Sequence, residues 1–163
     1  MGTQQATFAL GCFWGPEHYF NKKFKGAIVK SAVGYTGGKA SGPSYERVCS
    51  GSTGHAEAIQ LDFDPSKATY PDLVEYFFRI HDPTTVNKQG NDKGTQYRSA
   101  IFYHSPEQQQ QAEAKRDELQ KTRIKGKIVT EIVPAGEWWD AEAYHQKYLI
   151  NNPGGYCNHR ERW

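Results

Sequence analysis

Apolar residues along the chain fall in short runs, and their spacing predicts five β-strands. Residues 56–64 (AEAIQLDFD) alternate apolar and polar side chains, as expected of a strand with one buried face. Residues 6–10 (ATFAL) form a continuous apolar run, which is typical of a short buried strand. The five predicted strands cover residues 6–10, 27–35, 56–64, 98–103 and 128–134.

Four stretches between and after these strands predict helices. Pro16 suits the first turn of the first helix, and Thr69 suits the N-cap of the second. Ser105 and Gln108 have the spacing of a capping box at the start of the third helix. The predicted helices cover residues 16–25, 70–80, 106 to about 121, and 140–149.

The order of these elements indicates a fold that mixes helices and strands. It begins β-α-β-β-α-β and continues α-β-α, which predicts a ferredoxin-like two-layer α+β sandwich, a split βαβ core with C-terminal additions. Two long loops, 36–53 and 81–97, belong to it, and a loop as long as the second is usually functional or disordered. No repeat or linker divides the chain, so we expect one domain over residues 1–163 with a flexible tail from about residue 151.

Composition excludes several classes of function. A chain of 163 residues is long enough for one ordinary domain and too short for two. The formal net charge of +2 gives no electrostatic sign of a partner such as nucleic acid or a membrane. No segment approaches the roughly 18 to 20 consecutive apolar residues that span a bilayer, and the N-terminus lacks a secretory leader. We therefore expect a cytoplasmic protein.

Three cysteines, Cys12, Cys49 and Cys157, are the residues with the most reactive side chains. Their odd number and the lack of a CxxC pair argue against a disulfide scaffold and against a cysteine-rich zinc site. In a reducing compartment, isolated cysteines are either inert core residues or redox and nucleophilic ones.

Cys12 lies between the first predicted strand and the first predicted helix. The dipole and unpaired backbone N–H groups of a helix N-terminus stabilise a thiolate there. Gly11 and Gly15 allow a sharp bend, and Phe13 and Trp14 could form the wall of an apolar pocket beside the thiol. On spacing alone, a nucleophile and a buried structural cysteine fit equally well.

Six motifs in sequence order resemble the peptide methionine sulfoxide reductase A family. The resemblance extends from about residue 6 to Cys157, and several long motifs in order are far more specific than one short pattern. The motifs are GCFWG at 11–15, GYTGG at 34–38, STGHAEAIQLDFDP at 52–65, HDPTTVNKQGND at 81–92, GTQYRSAIFY at 94–103 and AEAYHQKYL at 141–149.

This resemblance implies a catalytic domain that reduces the S epimer of methionine sulfoxide, free or within proteins. It implies that Cys12 attacks the sulfoxide sulfur and that Glu57 protonates the oxygen. A carboxylic acid kept neutral by apolar surroundings is a suitable proton donor. The implied substrate-binding residues are Phe13 and Trp14 at the methyl group, and Tyr45, Asp92 and Tyr97 at the oxygen.

The resemblance also implies how the cycle closes. Attack leaves Cys12 as a sulfenic acid, which a second thiol converts to a disulfide. Cys157 is the implied resolving cysteine, with two glycines before it at 154–155. Thioredoxin would reduce the Cys12–Cys157 bridge, so the protein needs an external reductant and no bound cofactor or metal. Some relatives carry a further C-terminal cysteine, and none follows Cys157 here, so a relay through two such residues is not expected.

Without the motifs, each candidate residue has a structural interpretation as well. Glu57 would be a surface residue of a strand, and Asp92 a turn former. Two tyrosines, at 45 and 97, would be half-buried packing residues. The histidines His55 and His145 are interpreted as structural or supporting residues. Cys49 is most simply a buried thiol, and it remains an alternative resolving cysteine.

Two other functions are consistent with a reactive thiol beside aromatic residues. A thiol peroxidase has no use for an apolar methyl cage, and a glutaredoxin-like enzyme would carry CxxC or CxxS where this chain has Phe13, Trp14 and Gly15. A non-catalytic binder of oxidised methionine would need neither a reactive Cys12 nor a proton donor such as Glu57. We expect a monomer whose partners are thioredoxin and its oxidised substrates.

Overall fold

The computed structural model describes residues 3–11, 14–38, 54–89, 92–142, 145, 146 and 159, and at residues 14, 92 and 93 it describes the backbone alone. Helices and strands are mixed, so the predicted α+β class is confirmed. The elements are β1 (Gln4–Leu10), α1 (Trp14–Lys23), β2 (Ile28–Thr36), β3 (Ala56–Phe63), α2 (Tyr70–Arg79), β4 (Lys88–Gln89), β5 (Asp92–Lys93), a 3-10 helix (Thr95–Tyr97), β6 (Ser99–Tyr103), α3 (Pro106–Thr122), β7 (Glu131–Pro134) and β8 (Trp138–Asp140).

The described part of the chain contains one six-stranded sheet in the order β7-β6-β1-β3-β2-β8. Neighbouring strands are antiparallel except β6 and β7, which are parallel. The short strands β4 and β5 pair with each other outside this sheet. Because β1 is central and antiparallel to both neighbours, its C-terminal end lies beside the N-terminal ends of β3 and β6.

The main core lies between one face of the sheet and all three helices. Phe8 of β1 is fully buried, and its ring centroid lies 5.6 Å from that of Phe20 in α1 and 5.2 Å from that of Phe77 in α2. Truncating such a buried ring to alanine costs about 3–5 kcal/mol of stability. The opposite face holds a smaller cluster in which Phe102 packs with alanines of β1, β3 and β6.

Side-chain caps fix the starts of α2 and α3. Thr69 forms a complete capping box with Asp72 at α2, which extends the predicted N-cap. Ser105 accepts a hydrogen bond from the Gln108 backbone N–H at α3, but the predicted reciprocal bond is wrong. The Gln108 side chain instead accepts from the His104 backbone N–H and donates to the Gln5 carbonyl, so it ties α3 to β1.

Several boundaries differ from the predicted ones by two or three residues, and β1, for example, begins at Gln4 and not at residue 6. Helix α1 begins at Trp14, two residues before Pro16. Proline is tolerated there because the first four N–H groups of a helix have no partner within the helix. Strand β7 begins at Glu131, since the Val129 N–H donates to the Pro83 carbonyl and not to β6.

The helix predicted for residues 140–149 is wrong at residues 140–142, whereas His145 lies in a 3-10 turn in which its backbone N–H donates to the Glu142 carbonyl. Asp140 ends β8 and pairs with Gly34 of β2. The Ala141 N–H donates to the Val33 carbonyl, and the Gln146 side-chain amide bonds both backbone groups of Val33. Hydrogen bonds to the exposed edge of β2 therefore determine the conformation of this segment. Residues 143–144 and 147–149 lie outside the described residues.

The predicted loop 81–97 contains β4, β5 and the 3-10 helix. Asn87 has a φ of 49°, and its carbonyl accepts from the Gly94 N–H, which closes the base of the β4–β5 ladder. Among the described residues, no helix is long and apolar enough to cross a membrane.

Candidate functional site

The sheet brings several candidate positions to one end of the molecule. Cys12 follows β1 in the sequence, Glu57 is the second residue of β3, and Tyr97 lies two residues before β6. These are the ends that the antiparallel pairing of β1 places side by side. Segments about 45 positions apart in the sequence are therefore brought to the same end of the sheet.

The predicted position of Cys12 between the first strand and the first helix is confirmed by the bounds of β1 and α1. Gly11, directly before Cys12, has a φ of +95°, a conformation that favours glycine. A Cβ on Gly11 would also lie 2.8 Å from the side chain of Gln89 and 3.5 Å from the ring of His159. Gly11 is therefore required both by its backbone conformation and by close packing.

Gln89 covers this turn, and the sequence did not mark it as a candidate. It is 1% exposed. Its amide is fixed by the backbone of Asp82, whose N–H donates to Oε1 at 2.9 Å and whose carbonyl accepts from Nε2 at 2.8 Å. The start of the long loop is thereby held against Gly11.

Glu57 is fully buried, so its interpretation as a surface strand residue is wrong. Its neighbours along β3 are Ala56 and Ala58, and it pairs with Tyr35 of β2. Side chains alternate along a strand, so Glu57 points to the same face as Ile59, toward the main core. The side chain of Glu57 is thus buried at the end of the sheet that carries the candidate residues.

Tyr97 is half-buried at the end of the 3-10 helix. The next residue, Arg98, anchors this helix, because its guanidinium donates to the Thr95 carbonyl and forms an ion pair with Glu131 at 3.2 Å. Burial lowers the pKa of Arg98, and the charge of Glu131 opposes the change.

The two candidate histidines occupy buried positions with backbone contacts, in agreement with structural roles. His55 Nδ1 accepts from the Gly38 N–H at 3.1 Å. His145 is 2% exposed, and its backbone N–H donates to the Glu142 carbonyl. Burial lowers the pKa of His145 below its usual 6.5, and the nearby charge of Glu142 opposes the change.

A buried hydrogen-bond network lies next to the site and was not predicted from the sequence. His81, at the end of α2, donates from Nδ1 to the Phe77 carbonyl at 2.6 Å. Its Nε2 lies 2.7 Å from the Ser99 hydroxyl, which lies 2.7 Å from the Thr130 hydroxyl. These hydrogen bonds join α2, the start of β6 and the segment before β7, so they support the backbone next to Tyr97. Only the HDPTT motif hinted at it, because Ser99 and Thr130 are distant in sequence.

Several predicted site residues lie outside the described residues, and their predicted roles stay predictions. For Trp14 and Asp92 the backbone is placed in α1 and β5 without a description of the side chain. The residues outside the description are Cys12, Phe13, Tyr45, Cys49 and Cys157.

In the described ranges, no group of three or more His, Cys, Asp or Glu side chains could hold a metal ion.

Comparison with known proteins gives matches over nearly the whole chain. A family model described as peptide methionine sulfoxide reductase matches residues 4–162. A probable peptide methionine sulfoxide reductase of Schizosaccharomyces pombe is 51% identical over 165 residues, covering 98% of this chain and 97% of the relative.

Solved structures match to a similar extent. Mxr1 from Saccharomyces cerevisiae in its reduced form has a TM-score of 0.94 and 44% sequence identity, covering 99% of this chain and 93% of that one. Mxr1 in complex with Trx2 matches with a TM-score of 0.70 and 30% identity, covering 99% of this chain and 91% of that one. The similarity therefore includes the fold and the segments that carry the candidate residues.

Proposed function

Because the chain belongs to the peptide methionine sulfoxide reductase family, we propose that it reduces the S epimer of methionine sulfoxide, free or within proteins, to methionine. The observation that carries this proposal is the family match over residues 4–162, which includes every motif of the candidate site. The arrangement of Glu57 and Tyr97 at the end of the sheet that leads into Cys12 supports it.

In the proposed first step, the Cys12 sulfur attacks the sulfoxide sulfur while the sulfoxide oxygen gains a proton. The sulfur–oxygen bond of the substrate breaks, and the oxygen ends on Cys12 as a sulfenic acid. The sulfoxide is reduced by two electrons and the thiol is oxidised by two, so methionine leaves with no other reactant. Phe13 and Trp14 hold the methyl group in this proposal.

Glu57 is the proposed proton donor. Its side chain is fully buried, and burial disfavours the charged form of a carboxyl group. A general acid acts most effectively when it retains its proton until the transition state. Tyr45, Asp92 and Tyr97 are proposed to bind the oxygen, where hydroxyl donors stabilise developing negative charge without a charge of their own.

In the proposed second step, the Cys157 thiol attacks the Cys12 sulfenic acid. A disulfide forms and water leaves, which balances the oxygen taken from the substrate. Thioredoxin is the proposed reductant that returns both thiols, and the structure of the similar Mxr1 in complex with Trx2 supports this partner. The cycle needs no bound cofactor or metal.

We also propose the finer description of the molecule. The order β6-β1-β3-β2, with α1 and α2 in the connections, supports a ferredoxin-like core to which β7 and β8 are C-terminal additions. The proposed molecule is a cytoplasmic monomer with one catalytic domain over residues 1–163.

The test of this function compares the two sulfoxide epimers of a blocked methionine with dithiothreitol as reductant. We expect methionine from the S epimer alone, and no methionine with Cys12→Ser. Cys49→Ser is the matched control, because it removes a thiol outside the proposed mechanism and leaves this reaction intact. Equal turnover of both epimers, or activity of Cys12→Ser, would contradict the proposal.

A further inference from the structure

His159 is bound directly to the end of β1, although 149 residues separate it from Leu10. The His159 ring nitrogen Nε2 lies 2.6 Å from the Leu10 carbonyl oxygen, and the residue is 5% exposed. A carbonyl oxygen only accepts hydrogen bonds, so Nε2 carries a proton and donates. This bond holds a residue of the C-terminal segment two positions before Cys12.

A second contact anchors the backbone of the same residue. The Tyr19 hydroxyl of α1 donates to the His159 carbonyl at 3.0 Å. The His159 ring also lies against Gly11, where an added Cβ would come within 3.5 Å of Nε2. His159 is therefore held through its side chain and its backbone, on both sides of the turn between β1 and α1.

The neighbours of these anchored residues are the two proposed reactive cysteines. Cys157 precedes His159 by two residues, so covalent geometry limits their Cα atoms to at most about 7 Å apart. Cys12 follows Leu10 by two residues, and the same limit holds there. The hydrogen bond between His159 and Leu10 thus holds together the two segments of the sequence that contain Cys157 and Cys12.

We propose that His159 is a positioning residue that holds the segment bearing Cys157 beside the turn bearing Cys12 and so speeds formation of their disulfide. This inference rests on the proposed function, since it assigns His159 to the second step of that cycle. In that step the Cys157 thiol attacks the sulfenic acid, the Cys12–Cys157 bond forms and water leaves. Holding two reacting groups together raises their effective concentration, which accelerates the reaction between them.

The role predicts a separation between the two steps of the cycle. His159 contacts the backbone of Leu10 and Gly11 and takes no part in the proposed attack on the sulfoxide. We therefore expect its loss to slow disulfide formation and to leave formation of methionine nearly unchanged. The sulfenic acid of Cys12 would accumulate between the two steps.

The experiment measures both steps in a single turnover without reductant, for the parent protein, His159→Phe and His159→Gln. Phenylalanine keeps a ring but has no donor, whereas the glutamine amide can donate from a position close to Nε2. For His159→Phe we expect loss of the second thiol to slow roughly tenfold, the effect of one buried hydrogen bond. A sulfenic-acid probe should label more Cys12, and His159→Gln should restore most of the rate.

Tyr19→Phe removes the hydroxyl that donates to the His159 carbonyl and should slow the same step to a smaller extent. Methionine formation in the same samples shows that each variant is folded. Disulfide formation in His159→Phe at the parent rate or faster would overturn the inference, as would an equal slowing of both steps.

Failure of the proposed function would look different. No methionine from the parent would reject the reductase activity. Loss of two thiols in Cys157→Ser would reject Cys157 as the resolving residue. Either result would reject the proposed cycle and, with it, the role of His159. If only the role of His159 is wrong, the parent protein still completes the cycle.

Discussion

Glu57, the proposed proton donor, differs from an ordinary surface carboxyl group in its burial. It is fully buried at the start of β3, and it pairs with Tyr35 at the end of the sheet where β1 leads into Cys12. A buried carboxyl group is costly to maintain, so a residue at this position needs a reason beyond packing.

Replacing this carboxyl with an amide tests its role as the acid. We expect Glu57→Gln to slow methionine formation by about a hundredfold or more, because general acids contribute 10²–10⁴-fold and the amide supplies no proton. Alkylation of the Cys12 thiol should proceed as in the parent. The measurement is the single-turnover rate of methionine formation beside the rate of thiol alkylation.

Asp62→Asn is the matched control for this substitution. Asp62 lies in the same strand, five residues further along and roughly 17 Å away at 3.3–3.4 Å per residue, so its neutralisation should leave the rate unchanged. Unchanged turnover of Glu57→Gln would reject the acid role. Equal losses in both variants would show that charge in β3, and not a proton donor, determines the rate.

His145 makes the stability of the fold dependent on pH. Burial holds its pKa below 6.5 in the folded protein, whereas the unfolded chain has the ordinary value. As the pH falls below 6.5, the unfolded state binds a proton first, so the free energy of unfolding decreases until the folded-state pKa is passed. Urea unfolding of the parent at several pH values between 7.5 and 5 should show this decrease.

His145→Gln provides the comparison, because glutamine does not titrate. The stability of this variant should fall less steeply with acidification than that of the parent over the same range. Equal slopes for the two proteins would show that His145 does not contribute.

At this scale the sequence predicted residues that belong to long motifs and missed those whose partners are far away. Cys12, Glu57 and Tyr97 can be proposed from the sequence because each lies in a recognisable motif. Gln89 and His159 were missed, because their contacts with Asp82, Gly11 and Leu10 exist only in the folded chain. Burial of Glu57 was also not evident, since local alternation does not show which end of a strand is covered.

Among the elements, β8 shows how tertiary context overrides local pattern. The sequence predicts a helix over residues 140–149, but Asp140 pairs with Gly34 at the edge of β2. A strand of three residues has almost no periodicity of its own. The longer elements β1, β3, α2 and α3 agree with their predicted ranges to within a few residues.

Gly34 is the position at which β8 depends on the absence of a side chain. An added Cβ would overlap the Trp139 carbonyl and lie 2.6 Å from the Trp138 ring. Because the carbonyl belongs to the backbone, β8 would have to move away from β2. We expect Gly34→Ala to lower the free energy of unfolding by about 1–3 kcal/mol, as for other overpacked sites, in urea titrations.

Gly136→Ala is the control, since it lies just before β8 and no atom lies within 4 Å of an added Cβ. We expect its effect to stay within about 0.5 kcal/mol, as for most surface substitutions. A loss in Gly34→Ala no larger than that of the control would show that β8 is not packed against β2 as described.

The whole molecule is organised around one end of its sheet. Strand β1 ends two residues before Cys12, and β3 and the connection before β6 place Glu57 and Tyr97 at that same end of the sheet. The C-terminal segment returns to the same end through His159. The Cys12–Cys157 bridge that the resemblance implies would bring the C-terminal segment to this end, but nothing in the sequence indicates His159 as the residue that contacts β1.

The cycle proposed for this end of the molecule is tested most directly by one turnover with the S sulfoxide and no reductant, followed by counting of methionine and remaining thiols. The account predicts one methionine and the loss of two thiols per parent molecule. It predicts no methionine for Cys12→Ser, and one methionine with the loss of a single thiol for Cys157→Ser. Methionine from Cys12→Ser, or two thiols lost in Cys157→Ser, would contradict it.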